Sequence, residues 1–341
     1  MTFKKLVKFS KPSAAVIKNK QSFFQENSKL LNYVTNCNEI YIQNDIRNKC
    51  KNCDTSISGI DFISHKVPYI LCNKCNHLNG AYEDSKEFSE FLYIEDGGRR
   101  YNENYLKSYD SRVNDIYMPK VEFMVEALGE DIDLNKFSVL DIGCGGGHFI
   151  KACLNKKINA TGVEPNLNLV ELGVEKLGEN RIILCDLDDI KNIILNSNAN
   201  LISMIGVLEH TRYPREVIEA FKNSRSKYMY LQVPLFSLSV LLEHINQEVF
   251  PRQLNAGHTH LYTQESLAWL LKEFGIKVIA EWWFGTDMVD LFRQLLVKSK
   301  PINKEKMNLV FDKYLKDLID ELQHVLDSKK LCSGVNMIIT K

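Results

Sequence analysis

The sequence predicts an α/β protein in which short apolar strands alternate with helices, preceded by a small cysteine-rich module. In "FSVLDIGCGGGH" (residues 137–148) a strand runs into a glycine-rich turn, and the amphipathic segment "HFIKACLNKK" follows as a helix. Several more apolar runs follow at intervals that leave room for helices. Ahead of them, two Cys-x-x-Cys pairs lie within residues 50–75. With 341 residues, the chain is long enough for a substantial core.

The overall charge disfavours nucleic acid and anionic membranes as partners. Lys+Arg and Asp+Glu both number 43, so the chain carries no global field. A basic arm is the local exception: residues 1–30 hold seven lysines and a single acid, Glu26. No stretch has the length and apolar character of a signal peptide or a membrane span. Nine cysteines, an odd number, fit a reducing compartment, so we expect a cytoplasmic protein.

The two cysteine pairs match the spacing of a four-thiolate zinc site. The predicted ligands are Cys50, Cys53, Cys72 and Cys75. The residues between the pairs alternate well enough for two short strands, as in a zinc ribbon. Four thiolates fill every position of a tetrahedral ion, whereas a catalytic zinc keeps one open for water. We therefore expect structural zinc, with the chemistry elsewhere in the chain.

The glycine turn favours a nucleoside without phosphate. A dinucleotide-binding turn needs a glycine where this chain has His148. Asp141, two residues before Gly143, would repel a pyrophosphate but suits a cationic ligand. S-adenosylmethionine carries an ammonium and a sulfonium and no phosphate. Acids also end the next two strands: Glu164 follows "NATGV", placed to accept ribose hydroxyls, and Asp186 follows "RIILC", placed to accept from an adenine amino group.

The stretches "VLDIGCGGGHF", "TGVEPN", "LCDLDD" and "GVLEHTRYP" resemble the class I S-adenosylmethionine-dependent methyltransferases, over roughly residues 100–341. The resemblance implies a Rossmann-like sheet of seven strands, with the last strand antiparallel and wedged between strands five and six. It implies that the glycine turn holds the methionine portion of the cofactor and that Glu164 binds the ribose. It also implies that Asp186 and the backbone of Leu187 bind the adenine. By position, the implied cofactor-binding residues are Asp141, Gly143, Cys144, Gly145, Glu164, Asp186 and Leu187.

The cysteine module is similar to the N-terminal zinc-binding module of some deoxysugar and surface-carbohydrate methyltransferases. This second resemblance implies a small-molecule acceptor, a nucleotide-linked or surface-polysaccharide sugar; the methylated atom stays open. We predict four parts and one helical insertion. They are a basic arm (1–35), a zinc-ribbon-like module (36–98), linker and lid helices (99–136), and a methyltransferase domain (137–341) with an insertion at 287–330.

Three histidines are candidates for removing a proton from the acceptor or orienting it. His210 follows the fourth strand, beside the expected cofactor; the alternative is a histidine that ties this loop down. His258 and His260 lie in the glycine-bearing loop "NAGHTHLYT" before a helix, and their alternative is a hydrogen-bonded structural pair. We rank His260 first as catalytic base, then His258, then His210.

The C-terminal insertion contains a further amphipathic helix, at residues 307–328. Its apolar stripe either packs on the domain or forms a homodimer contact. Two other functions remain open beside methylation of a small molecule. One is an RNA methyltransferase with a zinc ribbon, which the zero net charge disfavours; the other is a non-catalytic scaffold that binds S-adenosylmethionine.

Overall fold

The structure is a computed structural model of the whole chain. It describes residues 5–14, 17, 26–95, 108–129, 132–178, 181–299, 306, 309–310, 313–314 and 317–341. Residues 1–4, 15–16 and 18–25 of the predicted arm lie outside the described residues, as do the first part of the predicted linker and several residues of the insertion.

Within the described residues, twelve strands form two sheets. The strands are β1 (Leu6–Phe9), β2 (Phe62–Ser64), β3 (Val67–Leu71), β4 (Leu78–Gly80), β5 (Ser138–Ile142), β6 (Asn159–Glu164), β7 (Ile182–Leu184), β8 (Leu201–Ile205), β9 (Tyr228–Pro234), β10 (His260–Leu261), β11 (Lys277–Trp283) and β12 (Gly334–Thr340). The large sheet has the order β1-β11-β12-β9-β8-β5-β6-β7. Only β12 runs antiparallel to its neighbours, β9 and β11, which confirms the predicted wedge.

Twelve α-helices lie between these strands among the described residues. They are α1 (Asn27–Tyr41), α2 (Lys86–Glu90), α3 (Tyr109–Arg112), α4 (Met118–Leu128), α5 (His148–Asn155), α6 (Leu167–Leu177), α7 (Ile190–Leu195), α8 (Pro214–Asn223), α9 (Leu238–Ile245), α10 (Gln264–Glu273), α11 (Asp287–Ser299) and α12 (Leu318–Ser328). None of the helices in the described ranges is both long and apolar enough to span a bilayer.

The large sheet separates two apolar cores. In β9, Met229 and Leu231 point into one core, and Tyr228 and Tyr230 into the other. This alternation follows from the two-residue period of a strand, and it requires a strand that is apolar on both faces. The Rossmann-like fold class that the sequence predicts is therefore confirmed.

Part of the predicted basic arm belongs to the large sheet. Residues 6–9 form β1, an eighth strand parallel to β11, with Leu6 opposite Ala280. Lys5 and Lys8 reach Glu281 and Glu126, respectively. An open edge of β11 would leave its N–H and C=O groups unpaired, and the arm covers that edge.

The small sheet, of order β10-β4-β3-β2, joins two parts that the sequence analysis separates. β10 comes from the later domain and pairs antiparallel with β4, His260 opposite Asn79. Tyr41 of α1 packs against the same module, although α1 begins within the predicted arm. The domain boundaries stay predictions, and these elements cross them.

Helix α12 buries only part of the predicted apolar stripe, together with polar residues. Ile319, Gln323 and Asp327 are buried, whereas Leu322 and Val325 are exposed. Gln323 donates to Asp327 at 2.8 Å, so polar contacts hold part of this face. The predicted dimer contact stays a prediction.

Candidate functional site

The glycine turn between β5 and α5 presents backbone rather than side chains at the carboxyl edge of the large sheet. Gly143, Gly145 and Gly147 have φ values of 64°, 54° and 77°, in the left-handed region that favours glycine. A Cβ on Gly143 would also lie 2.8 Å from Cγ2 of Val207. The turn therefore keeps a close backbone approach open to a ligand at a helix N-terminus.

A cavity of about 500 Å³ opens beside this turn. Its lining includes the glycine turn, Glu164 at the end of β6, and Leu187 after β7. It also includes Tyr93 of the cysteine module and His210 from the turn after β8. Ligands of open α/β sheets bind at this edge, so the cavity is the candidate functional site.

Glu164 is buried at the floor of the site. Its Oε2 accepts from the N–H of Gly145 at 2.8 Å, and its Oε1 accepts from the N–H of Asn166 at 3.1 Å. Burial raises the pKa of its carboxyl to about 7, against the opposing effect of these two hydrogen bonds. The carboxylate thus holds the glycine turn in place and also faces the cavity.

Five of the seven predicted cofactor residues line the cavity. They are Gly143, Cys144, Gly145, Glu164 and Leu187. Asp141 lies outside the lining: it is buried, accepts from Oγ of Ser203 at 2.7 Å, and burial raises its pKa to about 7. Asp186 is exposed and caps the short turn 187–189 by accepting from the N–H of Asp188 at 2.9 Å.

Three aromatic side chains of the cavity wall are not among the predicted site residues. Tyr117 and His148 stack with ring centroids 5.5 Å apart, and both line the cavity. Tyr117 lies in the described part, 108–117, of the segment predicted to contain linker and lid helices. Tyr93 comes from the cysteine module, and only tertiary packing brings it here.

His210 is the one predicted catalytic histidine that lines the cavity. Its Nδ1 lies 2.7 Å from the carbonyl oxygen of Gly257 and 3.0 Å from the hydroxyl of Tyr93. Burial lowers the pKa of the imidazole to about 4, so it is neutral near pH 7. A Cβ on Gly257 would lie 3.2 Å from Cε1 of His210, so glycine allows this close approach.

His258 lies beside His210 but outside the lining of the cavity. The two rings have centroids 4.9 Å apart, and Nδ1 of His258 is 2.7 Å from the carbonyl oxygen of Gln253. Glu209 is close to both: it is 3 % exposed, and burial raises the pKa of its carboxyl to about 8. The structure thus brings together two predicted histidines and a neighbouring acid.

His260, ranked first by the sequence analysis, lies in β10 with 0 % of its surface exposed. Its Nδ1 is 2.9 Å from Nε2 of His77, and burial lowers the pKa of both rings well below the usual range. His260 is not among the residues that line the cavity. Its environment is that of the structural pair, the alternative left open above, except that its partner is His77 rather than His258.

The four predicted thiolates converge into one buried cluster. All four Sγ atoms lie within 4.8 Å of one another; Cys50 and Cys75 are 3.7 Å apart and Cys53 and Cys72 3.5 Å. A tetrahedral ion with Zn–S bonds of about 2.3 Å separates its sulfur atoms by about 3.8 Å. The cluster is therefore compatible with a bound metal ion.

The cysteine module contacts the segment that follows His210. Lys51 donates to the carbonyl oxygen of Thr211 at 3.0 Å, and Arg215 donates to that of Asn52 at 2.8 Å. Asn52 in turn donates to the carbonyl oxygen of Ser266 in α10 at 2.9 Å. The residues between the cysteines therefore help to position one wall of the cavity.

Several solved structures are similar to this chain. A SAM-dependent methyltransferase from Archaeoglobus fulgidus is 16 % identical, with 66 % of this chain and 92 % of that one covered and a TM-score of 0.42. Magnesium protoporphyrin IX methyltransferase from Synechocystis PCC 6803 with bound SAH is 12 % identical, with 75 % and 100 % covered and a TM-score of 0.49. The Haloferax volcanii complex of the Trm112 activator with a methyltransferase is 11 % identical, with 72 % and 96 % covered and a TM-score of 0.46.

These likenesses concern the fold alone. No curated protein matches the chain. A family model described as a methyltransferase domain matches residues 109–281, just over half of the chain, from the described lid segment to β11. The chain therefore belongs to the methyltransferase domain family, which confirms the enzyme class that its motifs predict, an S-adenosylmethionine-dependent methyltransferase.

Proposed function

We propose that this enzyme methylates a hydroxyl-bearing small molecule, a nucleotide-linked or surface-polysaccharide sugar. The observation that carries the proposal is a single cavity that contains both the glycine turn with Glu164 and the imidazole of His210. Cofactor and acceptor can therefore meet in one space, as in-line displacement requires. The sugar itself rests on the resemblance of the cysteine module to that of carbohydrate-modifying enzymes.

The residues of the turn side fit S-adenosylmethionine. The acids in the lining, Glu164, Asp188 and Glu216, outnumber the two cations, Lys191 and Arg212. This balance suits a cationic ligand better than a pyrophosphate. When bound, the cofactor would supply a methyl group on its sulfonium sulfur: the acceptor atom would bond to the methyl carbon and lose its proton, and the sulfur would leave as a neutral thioether.

We assign the cofactor contacts as follows. Glu164 accepts from ribose hydroxyls, the backbone of residues 143–145 surrounds the methionine portion, and Leu187 borders the adenine. Asp141, behind the turn, acts through its charge and not by contact. Asp186 shapes the turn that presents Leu187, because its carboxylate already caps that turn.

The acceptor side offers aromatic rings and hydrogen-bonding groups that suit a sugar. Tyr93, Thr211 and Tyr213 line it, and Arg212 is held by Asp188 at 2.9 Å. We propose that His210 acts on the acceptor from this side. Its neutral ring has a lone pair that can accept a proton from the acceptor or bind a cation. The neighbouring side chains of Glu209 and His258 influence which of these two roles the lone pair has.

We also propose that the four thiolates bind a structural Zn²⁺. Four thiolates fill every position of a tetrahedral ion and leave none for water or substrate, and the cluster is buried. The ion would hold the residues between the cysteines, which contact the segment after His210.

Methyl-labelled S-adenosylmethionine tests the proposed function. The protein is incubated with the label and, in separate reactions, with nucleotide-linked sugars, polysaccharide fractions and total RNA. We expect label in a sugar fraction.

His210→Ala should lower transfer about a hundredfold or more while leaving cofactor affinity unchanged, because the residue acts on the acceptor. His324→Ala, an exposed histidine in α12, is the matched control. Label in RNA alone, or normal transfer by His210→Ala, contradicts the proposal.

A further inference from the structure

Glu209, His210 and His258 form a cluster at the acceptor side of the site. One potential ligand atom of each lies within 4.8 Å of those of the other two. Nε2 of His210 is 3.9 Å from Oε1 of Glu209, and the two imidazole centroids are 4.9 Å apart. The residues come from the turn after β8 and from the loop before β10, so the tertiary fold creates the cluster.

Both imidazoles have the tautomer that a metal ligand needs. Nδ1 of His210 lies 2.7 Å from the carbonyl oxygen of Gly257, and Nδ1 of His258 lies 2.7 Å from that of Gln253. A carbonyl oxygen can only accept, so each Nδ1 carries the proton and each Nε2 the lone pair. Histidines that bind metals are oriented in this way, by donating the other ring N–H to a carbonyl or carboxylate.

Glu209 lacks a compensating charge within the described part of the chain. It is 3 % exposed, and its Oε2 has no hydrogen-bond partner there. The group within ion-pair range of it in those residues is His210, whose Nε2 carries no proton. A bound cation would compensate the charge of this buried carboxylate in its ionised form. A cation between the three side chains could take a carboxylate oxygen of Glu209 and the two Nε2 atoms as ligands.

We propose that Glu209, His210 and His258 bind one divalent transition-metal ion beside the cavity. Two imidazoles and one carboxylate suit Mn²⁺, Fe²⁺, Co²⁺ or Zn²⁺, whereas Mg²⁺ and Ca²⁺ prefer oxygen ligands alone. A shift of the three side chains by about an ångström brings their ligand atoms to the bond lengths of about 2.0–2.2 Å that such ions require.

The ion has a function in the proposed reaction. His210 lines the cavity, so an ion on its Nε2 borders the acceptor, and an acceptor oxygen completes the coordination. The ion lowers the pKa of that hydroxyl, so the proton leaves to water and His210 need not accept it. This role rests on the proposed function; binding of the ion does not.

Titration of the zinc-loaded protein with Mn²⁺, with free Mn²⁺ measured by electron paramagnetic resonance, tests the site. Mn²⁺ is the probe because four thiolates select softer ions and keep their zinc. We expect one Mn²⁺ per chain. Glu209→Gln and His258→Ala should each weaken binding at least about tenfold, and His324→Ala should not. Affinity for S-adenosylmethionine, measured on the same samples, shows that each variant is folded.

The inference is overturned if wild-type protein that binds S-adenosylmethionine takes up no Mn²⁺, or if neither variant changes the uptake. Methyl transfer is scored separately. Transfer to a sugar without Mn²⁺ uptake leaves the proposed function intact and removes the metal site. Mn²⁺ uptake without transfer to any sugar supports the site and removes the proposed acceptor.

Discussion

Burial sets the charge state of the two acids in neighbouring strands beneath the glycine turn. Asp141 of β5 and Glu164 of β6 are both buried, and the pKa of each is raised to about 7. Burial is the main cause for both, and the charge of Glu164 raises the pKa of Asp141 further. A cationic cofactor reverses this effect by favouring the ionised forms.

Cofactor affinity should therefore depend on pH. Below pH 7 the acids are protonated and must release protons before they can interact with a cation, so affinity falls as the pH falls through 7. We expect the dissociation constant for S-adenosylmethionine to rise by up to about tenfold per pH unit per group between pH 7 and 6. Calorimetry at pH 6 and 8 measures it. Glu164→Gln should flatten the profile, and exposed Glu175→Gln should not; equal affinities at both pH values contradict the assignment.

At the scale of the element, helix α10 shows how local sequence positions a longer-range contact. Thr263 caps the helix: its Oγ1 accepts from the N–H of Ser266 at 3.0 Å, and Oγ of Ser266 accepts from the N–H of Thr263 at 2.8 Å. This reciprocal pair is a capping box. The carbonyl of Ser266 then accepts from Asn52 of the cysteine module, so the cap also fixes a docking point.

Removal of this cap should destabilise the protein. Thr263→Ala loses one bond of the capping box and should lower the free energy of unfolding by about 1 kcal/mol. Thr35→Ala is the matched control, because Thr35 lies within α1, bonds back to the carbonyl of Leu31, and alanine is the better helix former. Urea denaturation compares them. A midpoint for Thr263→Ala no lower than that for Thr35→Ala would show that the cap adds no stability.

At the scale of the whole molecule, the cysteine module and the methyltransferase domain build the active-site wall together. The module provides Tyr93 to the cavity and pairs β4 with β10, while Lys51 contacts Thr211 next to His210. The glycine turn and Glu164, by contrast, lie at the ends of strands of the large sheet, and Asn166 links them to the module by donating to the carbonyl oxygen of Tyr93. The two halves of the site therefore depend on different parts of the fold.

Loss of the proposed zinc ion should impair methyl transfer but not cofactor binding. Cys72→Ser should lose the ion and make the module sensitive to protease. Methyl transfer should fall about a hundredfold, because the acceptor wall shifts, while affinity for S-adenosylmethionine stays near that of wild type. Cys37→Ala, a buried cysteine of the same region, keeps all four ligands and is the control. Metal analysis, limited proteolysis and labelled transfer measure the three effects. Equal losses of cofactor affinity and transfer would contradict the separation.

The sequence predicts some parts of the site better than others because of the range of the interactions involved. Glu164 and Gly143 follow strands whose ends share one edge, so their meeting needs only the parallel sheet. His260 and His258 lie two residues apart in one loop, and nothing local distinguishes the buried ring from the one beside His210. Their ranking failed to anticipate that β10 pairs with β4 and takes His260 into the interior.

The sequence by itself determines the alternating strands and helices, the glycine turn and the four convergent thiolates. Each depends on a short repeat or spacing whose geometry is set by the backbone. Only the tertiary structure decides that β1 covers the edge of the sheet, that Tyr93 reaches the cavity, and that Glu209, His210 and His258 lie together. Those arrangements join residues far apart in the chain, and their free energy comes from packing and burial, which no local pattern records.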